Sequence, residues 1–231
     1  MLLVLLSCGG AQPPAPLPAA PIPVFPVHGA SSATVPAPAS TSPLPPCQSA
    51  SAEIARLRDA DQGARQHMPT ADEWPRISAA DLERRTRVSE LFAAGCLTTA
   101  SDYGSAALIF QHGTIPEHYL QAILFASRAV ALGDPSERSL MALAADRYLV
   151  STKHKQLFGS QSFRVEGNPC WCMPQVERAF PDDQRLAFVG KTLEQERQAM
   201  QSRNAGATAC TKVECDEELQ PAAKGSVPGI W

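Results

Sequence analysis

The chain has 231 residues and a formal net charge of −3, and 44% of its residues are hydrophobic, enough for one folded domain of ordinary size. Its 20 basic and 23 acidic residues are interspersed, without the basic excess typical of nucleic-acid-binding proteins. The densest basic stretch, residues 83–87 (Glu-Arg-Arg-Thr-Arg), has acidic residues on both sides and is interpreted as a solvated helix face. We therefore expect no nucleic-acid partner.

The first eight residues resemble a lipoprotein signal remnant. Residues 5–9 read Leu-Leu-Ser-Cys-Gly, similar to a bacterial lipobox, in which the cysteine carries lipid and becomes the mature N-terminus. The apolar run is far shorter than the roughly 20 residues of a membrane span, and no basic residue precedes it, which suggests an upstream start codon. A chance apolar start is the alternative. We predict a lipid anchor at Cys8, and Gly9 after it favours the outer membrane.

Residues 9–46 contain no charged side chain and hold 12 of the 21 prolines. Such a Pro/Ala/Ser-rich run cannot bury enough apolar area to offset its chain entropy, so we predict a disordered linker. At about 3.1 Å per residue it could reach on the order of 100 Å, which suits a tether at the periplasmic face of a membrane. Residues 47–220 are the predicted folded domain, and 221–231 a flexible tail.

Apolar residues recur at helical spacing almost throughout the predicted domain. Predicted helices span 49–66, 79–95, 101–112, 118–132, about 135–150, and 182–203, with an irregular segment at 153–175. A capping box is expected from Thr114 to Glu117, and Asp134 is expected to cap the fifth helix. Since no strand signal is convincing, we predict an all-α fold: an irregular bundle of five to six helices, the fourth and fifth antiparallel neighbours.

Six cysteines remain when Cys8 is set aside, an even number that favours disulfides in an oxidising periplasm: Cys47, Cys96, Cys170, Cys172, Cys210 and Cys215. The first two should pair, because two antiparallel helices of similar length bring their ends together. Cys170 and Cys172 are too close to pair comfortably with each other. They should bond to Cys210 and Cys215, in an order that spacing leaves open, and a local Cys210–Cys215 bridge is the alternative.

A zinc site is the competing use of these cysteines. The chain lacks the usual C-x2-C spacing here, and no histidine follows His154. No metal and no cofactor are therefore predicted.

Two charged residues lie where the fifth predicted helix should be apolar. Arg147 falls inside the apolar arc, and Asp146 lies at its edge. An arginine on such a face must be paired, extend to water, or serve a site. A structural ion pair between helices is the alternative to a site.

The third predicted helix and the loop at 155–161 also carry unexpected polar groups. No charged residue lies between Asp102 and Glu117, so His112 is predicted to be buried at a helix C-terminus, where the dipole favours its protonated form and burial opposes it. A satisfied core histidine is the alternative. In the loop, Gly159 permits a sharp turn beside amide and hydroxyl side chains; such a loop is either ordinary surface or the cover of a pocket.

These positions, in this order and spacing, resemble a bacterial family catalogued as domain of unknown function 6624, whose pattern runs Gln-His, Asp-Arg, Gln-x-Tyr-Gly-Thr-Gln. The matching residues are 111–112, 146–147 and 156–161, and an upstream Asp-Gln-x-x-Arg is similar to 61–65. The likeness covers about residues 50–200 and departs at Gly113, Phe158 and Ser160. It marks positions and implies no reaction. We expect the marked residues 111–112, 146–147 and 156–161 to form one buried polar cluster.

Two functions fit this cluster. In the first, the domain binds a small polar or anionic ligand, or a protein, with Arg147 holding a carboxylate or phosphate; the predicted ligand-binding residues are Gln111, His112, Asp146, Arg147, Gln156, Gly159 and Gln161. The alternative is a periplasmic hydrolase-type enzyme, with His112 as general base and Asp146 as its orienting carboxylate. Ser160, the only nucleophile nearby, lies in no Gly-x-Ser-x-Gly elbow. A sealed cluster would instead be purely structural.

Overall fold

The computed structural model describes residues 47–67, 69–164, 170–205 and 210–231. Helices dominate this part of the chain: α1 (Ala50–Gly63), α2 (Trp74–Ala93), α3 (Ala100–Gln111), α4 (Pro116–Ala131), α5 (Arg138–Ser151), α6 (Asp182–Val189) and α7 (Leu193–Arg203). Short 3-10 turns, Cys47–Ser49 and Pro135–Glu137, precede α1 and α5. The all-α prediction is confirmed. The lipobox and the predicted linker lie outside the described residues.

One small sheet interrupts the irregular segment, where no strand was predicted. Strands β1 (Phe163–Arg164) and β2 (Trp171–Cys172) pair antiparallel. Two-residue strands carry too little periodic signal to be read from sequence.

Two helix starts differ from the predictions. Helix α2 begins at Trp74 rather than 79, because Pro75 lies in the first turn, where the missing N–H has no helical partner to lose. Helix α4 begins at Pro116 without the expected capping box. Instead the Thr114 N–H donates to His118 Nδ1 at 3.1 Å.

The last predicted helix is two helices. Gly190 has φ of 69°, a left-handed conformation that ends α6. Thr192 then starts α7 in a capping box with Gln195: the threonine hydroxyl accepts from the Gln195 N–H, and the glutamine side chain accepts from the Thr192 N–H. A glycine two residues before such a box therefore marks a boundary.

Helix α3 lies at the centre of the bundle, against α1, α2, α4 and α5, and α4 packs along α5 as predicted. Ala106 and Ala107 of α3 are fully buried, and small side chains allow this close packing. None of the described helices is both long and apolar enough to cross a bilayer.

Three disulfides join the described segments: Cys47–Cys96, Cys170–Cys210 and Cys172–Cys215. The predicted first bridge is confirmed, as is the pairing of the CxC cysteines with the two C-terminal ones.

The last eleven residues were predicted to be flexible, but they pack on the core. Val227 is fully buried, and the Trp231 indole N–H donates to the Ala222 carbonyl at 2.9 Å. The Trp231 ring meets Phe180 edge to face, with centroids 5.2 Å apart. Val227, Ile230 and Trp231 therefore anchor this short tail on the core.

Candidate functional site

A cleft of about 570 Å³ opens where α1 ends, α2 starts, α3 meets α4, and α5 passes. We call it the arginine cleft. Its lining includes Arg65, Trp74, Ser78, Asp81, His112, Thr114 and Arg147.

Asp61, on α1, is fully buried beneath this cleft. Its carboxylate lies 2.7 Å from His112 Nδ1, accepts from the Gln62 amide at 2.9 Å, and accepts from Arg65 Nη1 at 3.1 Å. Burial alone would raise the pKa of Asp61, but the hydrogen bonds and charges of these neighbours outweigh it and hold the pKa below its ordinary value. Asp61 is therefore an ionised anchor for His112.

Asp146 does not orient His112, which corrects the enzyme hypothesis. Its Oδ1 accepts from the backbone N–H groups of Leu157 (2.7 Å) and Phe158 (3.1 Å), and its Oδ2 from the N–H (2.9 Å) and hydroxyl (2.8 Å) of Ser160. Burial raises the pKa of Asp146, and these four hydrogen bonds oppose the shift. The carboxylate organises the loop.

The expected single cluster is therefore two networks. Asp146 and Arg147 are neighbours on α5, so their side chains leave the helix about 100° apart and meet different surroundings. Arg147 lines the arginine cleft, whereas Asp146 is buried under the 157–160 loop.

Three predicted ligand-binding residues instead hold that loop in shape. Gln156 is fully buried; its amide donates to the Pro174 carbonyl at 2.8 Å and its oxygen accepts from the Gln161 N–H at 2.9 Å. Gln161 donates to the Leu143 carbonyl at 3.4 Å, and Gly159 has φ of 80°, a conformation that favours glycine. None of these three residues lines the arginine cleft.

Phe158, at a position where the family that the sequence resembles has tyrosine, is fully buried among aromatic rings. It meets Phe180 at 5.0 Å and Phe188 at 5.4 Å between centroids. A hydroxyl here would need a partner in an apolar setting, so phenylalanine suits this chain. Nearby Arg185, which the sequence did not single out, is buried and donates to the Leu157 carbonyl at 2.8 Å.

The stretch predicted to be a solvated helix face is partly buried. Arg84 and Arg85 on α2 are 8% and 5% exposed. Arg84 donates to Asp81, and Arg65 bridges Asp81 and Asp61. These arginines can be buried because the carboxylates of Asp61 and Asp81 lie between α1 and α2, close to the guanidinium groups.

Arg85 is buried without a carboxylate partner among the described residues. Its Nη1 donates to the His112 carbonyl at 3.3 Å, and its Nε has no hydrogen-bond partner in this part of the chain. Burial lowers the pKa of Arg85, while the charge of Asp81 opposes this. The residues of the arginine cluster are Asp61, Arg65, Asp81, Arg84, Arg85, His112 and Arg147.

Arg147, at the cleft wall, also forms no ion pair within the described residues. Its Nε is buried and has no hydrogen-bond partner there. Burial lowers the pKa of Arg147; the Tyr119 side chain opposes this, and the charge of Arg65 adds repulsion. Arg147 is thus a half-buried cation that faces the cleft and has no ion-pair partner among the described residues.

Both ring nitrogens of His112 are occupied. Nδ1 faces Asp61, and Nε2 lies 2.9 Å from the buried Gln111 amide nitrogen. A general base needs a nitrogen free to meet its substrate. The predicted acid–base set is not assembled, because Ser160 bonds to Asp146 rather than to His112.

Sequence reasoning found Arg147 and His112 but reached Asp61 and Arg65 only through the family resemblance. The spacing of Asp61 and Arg65 could have predicted their ion pair, since an aspartate and an arginine four residues apart can pair on one helix face. Within the described residues no group of three or more His, Cys, Asp or Glu side chains could hold a metal ion.

Compared with models of protein families, with characterised proteins and with solved structures, the chain shows no significant match. The family resemblance of residues 111–112, 146–147 and 156–161 stays a prediction.

Proposed function

We propose that the arginine cleft binds an anion, a carboxylate or a phosphate, and that it does so in a domain tethered to the bacterial cell envelope. The observation that supports anion binding is the state of Arg147. This half-buried guanidinium lies at the cleft wall, its Nε has no hydrogen-bond partner, and no carboxylate lies beside it in the described structure. Guanidinium groups recognise carboxylates and phosphates through charge-assisted hydrogen bonds.

The charge balance of the cluster supports the same ligand class. Among its described members are four arginines and two aspartates: Arg65, Arg84, Arg85, Arg147, Asp61 and Asp81. The two carboxylates are engaged by Arg65 and Arg84, so the remaining pair of guanidinium groups leaves an excess of positive charge. A partly buried excess of one sign focuses the field and attracts a counter-ion.

The cleft offers further groups for such an anion. Arg65 presents a second guanidinium, and the exposed Thr114 carries a hydroxyl. A concave site with a few converging polar groups suits a small ligand better than a flat protein surface. We therefore favour a small anion over a protein partner.

The test is an NMR titration of the full chain with inorganic phosphate and with acetate, following the Arg Nε–H signals. Each charge-assisted hydrogen bond contributes about 1.5–3 kcal/mol, so Arg147→Met should weaken binding roughly tenfold or more. The same variant should keep its stability, since no carboxylate in the described part of the chain is paired with Arg147. The control is Arg138→Met, an exposed arginine on the same helix. Equal affinity in wild type and Arg147→Met would refute the proposal.

The proposal of a membrane tether is based on sequence features outside the described residues. The Leu-Leu-Ser-Cys stretch and the uncharged run at 9–46 support lipid attachment at Cys8, and the three disulfides fit an oxidising compartment. Membrane fractionation of a Cys8→Ala variant tests the proposed lipid attachment. An unchanged amount in the membrane fraction would contradict it.

A further inference from the structure

Trp74 stands out among the exposed apolar side chains. Eight large apolar residues are exposed in the described structure, and Trp74, at 43%, is the one that lines the arginine cleft. It is the first residue of α2, ahead of Ser78 and Asp81, which line the same cleft. Its ring therefore forms a wall beside the charged groups.

Within the described residues, the Trp74 ring has no polar or aromatic partner. Its indole N–H donates to no described residue, and no aromatic ring or cation in the described structure stacks on it. Tryptophan side chains with a free ring face and a free N–H are typical of binding surfaces. There the ring packs against an apolar group of the ligand, and the N–H donates to a polar one.

The size of the cleft favours an occupant larger than a bare ion. Pockets of about 300–1,000 Å³ bind organic molecules of drug size, and the arginine cleft, at about 570 Å³, lies within that range. An anion held by Arg147 and Arg65 alone would leave the Trp74 side of the cleft filled with water.

We infer that the ligand of the arginine cleft is an organic anion with a planar ring, whose charged group contacts Arg65 and Arg147 while the ring stacks on Trp74. This inference rests on the proposed function and adds the class of ligand. Aromatic carboxylates and ring-bearing phosphates share this chemistry. Nucleic-acid bases of every kind stack on aromatic side chains, because every base has a π-face. Stacking on Trp74 should tolerate different planar rings for the same reason.

Two matched pairs of probes distinguish the ring from the charge. We would titrate the full chain with phenyl phosphate and methyl phosphate, and with benzoate and acetate. Stacking of a ring should strengthen binding about 5- to 160-fold, in the pair of probes whose charged group the cleft accepts. Trp74→Ala should abolish that preference, whereas Trp74→Phe should retain part of it.

Leu82→Ala is the control, because Leu82 is an exposed apolar residue of the same helix that does not line the cleft. Circular dichroism would confirm that each variant keeps its helices. Equal binding of ring-bearing and ring-free probes, or a preference that survives Trp74→Ala, would overturn the inference and leave the anion site intact. If no probe binds, the proposed function fails and this inference with it.

Discussion

Replacing Asp146 by asparagine keeps the shape of the side chain and removes its charge and half of its acceptor capacity. In the wild type the two carboxylate oxygens accept four hydrogen bonds from Leu157, Phe158 and Ser160. Asparagine has one acceptor oxygen and one donor NH2, so it can satisfy the donors on one side only.

The least costly orientation keeps the amide oxygen toward Leu157 and Phe158. The Ser160 hydroxyl can then rotate to accept from the new NH2, but the Ser160 N–H faces a donor and loses its partner. A buried unsatisfied N–H costs about 1–3 kcal/mol, and the two remaining bonds weaken because their acceptor is no longer charged. Relief of the buried charge offsets part of this. We expect a loss of about 2–4 kcal/mol in the free energy of unfolding.

Urea unfolding would measure the global effect, and amide hydrogen exchange at residues 157–160 the local one. The control is Asp59→Asn, an exposed aspartate on α1. Anion binding in the arginine cleft should change less than in Arg147→Met, because the two neighbours serve different networks.

A stability within 0.5 kcal/mol of wild type, a typical range for surface substitutions, together with unchanged exchange at Ser160, would refute the argument that this carboxylate holds the loop.

Asp61 and Gly113 give two further expectations. Because the folded-state pKa of Asp61 lies below its ordinary value, its contribution to stability is complete above about pH 4 and is lost as the pH falls through the lowered pKa. The stability difference between wild type and Asp61→Asn in urea unfolding should therefore shrink below about pH 4, and a pH-independent difference would contradict this. Gly113→Ala would put a Cβ 2.2 Å from the His118 Cβ, so we expect a loss of about 1–3 kcal/mol by the same assay. Gly63→Ala, whose Cβ would meet nothing within 4 Å, should show no such loss, and equal behaviour of the two variants would refute the crowding argument.

The helical architecture and the disulfide framework were predictable because both follow from order along the chain. Two antiparallel helices bring Cys47 to Cys96, whatever their side chains contact elsewhere. The order of the other two bridges was not predictable, since Cys170 and Cys172 are only two residues apart. Which of these two cysteines pairs with Cys210 and which with Cys215 depends on how the flanking segments run in three dimensions.

The site was only partly predictable because its pairings are long-range. Arg147 could be found from its apolar surroundings on a single helix. Arg84 looked solvated, since its partner Asp81 and its neighbour Asp61 become buried only when α1 packs against α2. Helical periodicity describes one helix at a time and cannot show which carboxylate of another helix lies opposite.

The Cys47–Cys96 bridge closes a covalent ring that includes α1, α2 and the segment between them. Asp61, Arg65 and Asp81 all lie within this ring. If a protease cut the backbone once between α1 and α2, the two pieces would remain one molecule through the bridge. The carboxylates and guanidinium groups under the cleft would then stay at high effective concentration, so a nicked chain would retain its anion site until a reductant released the fragment.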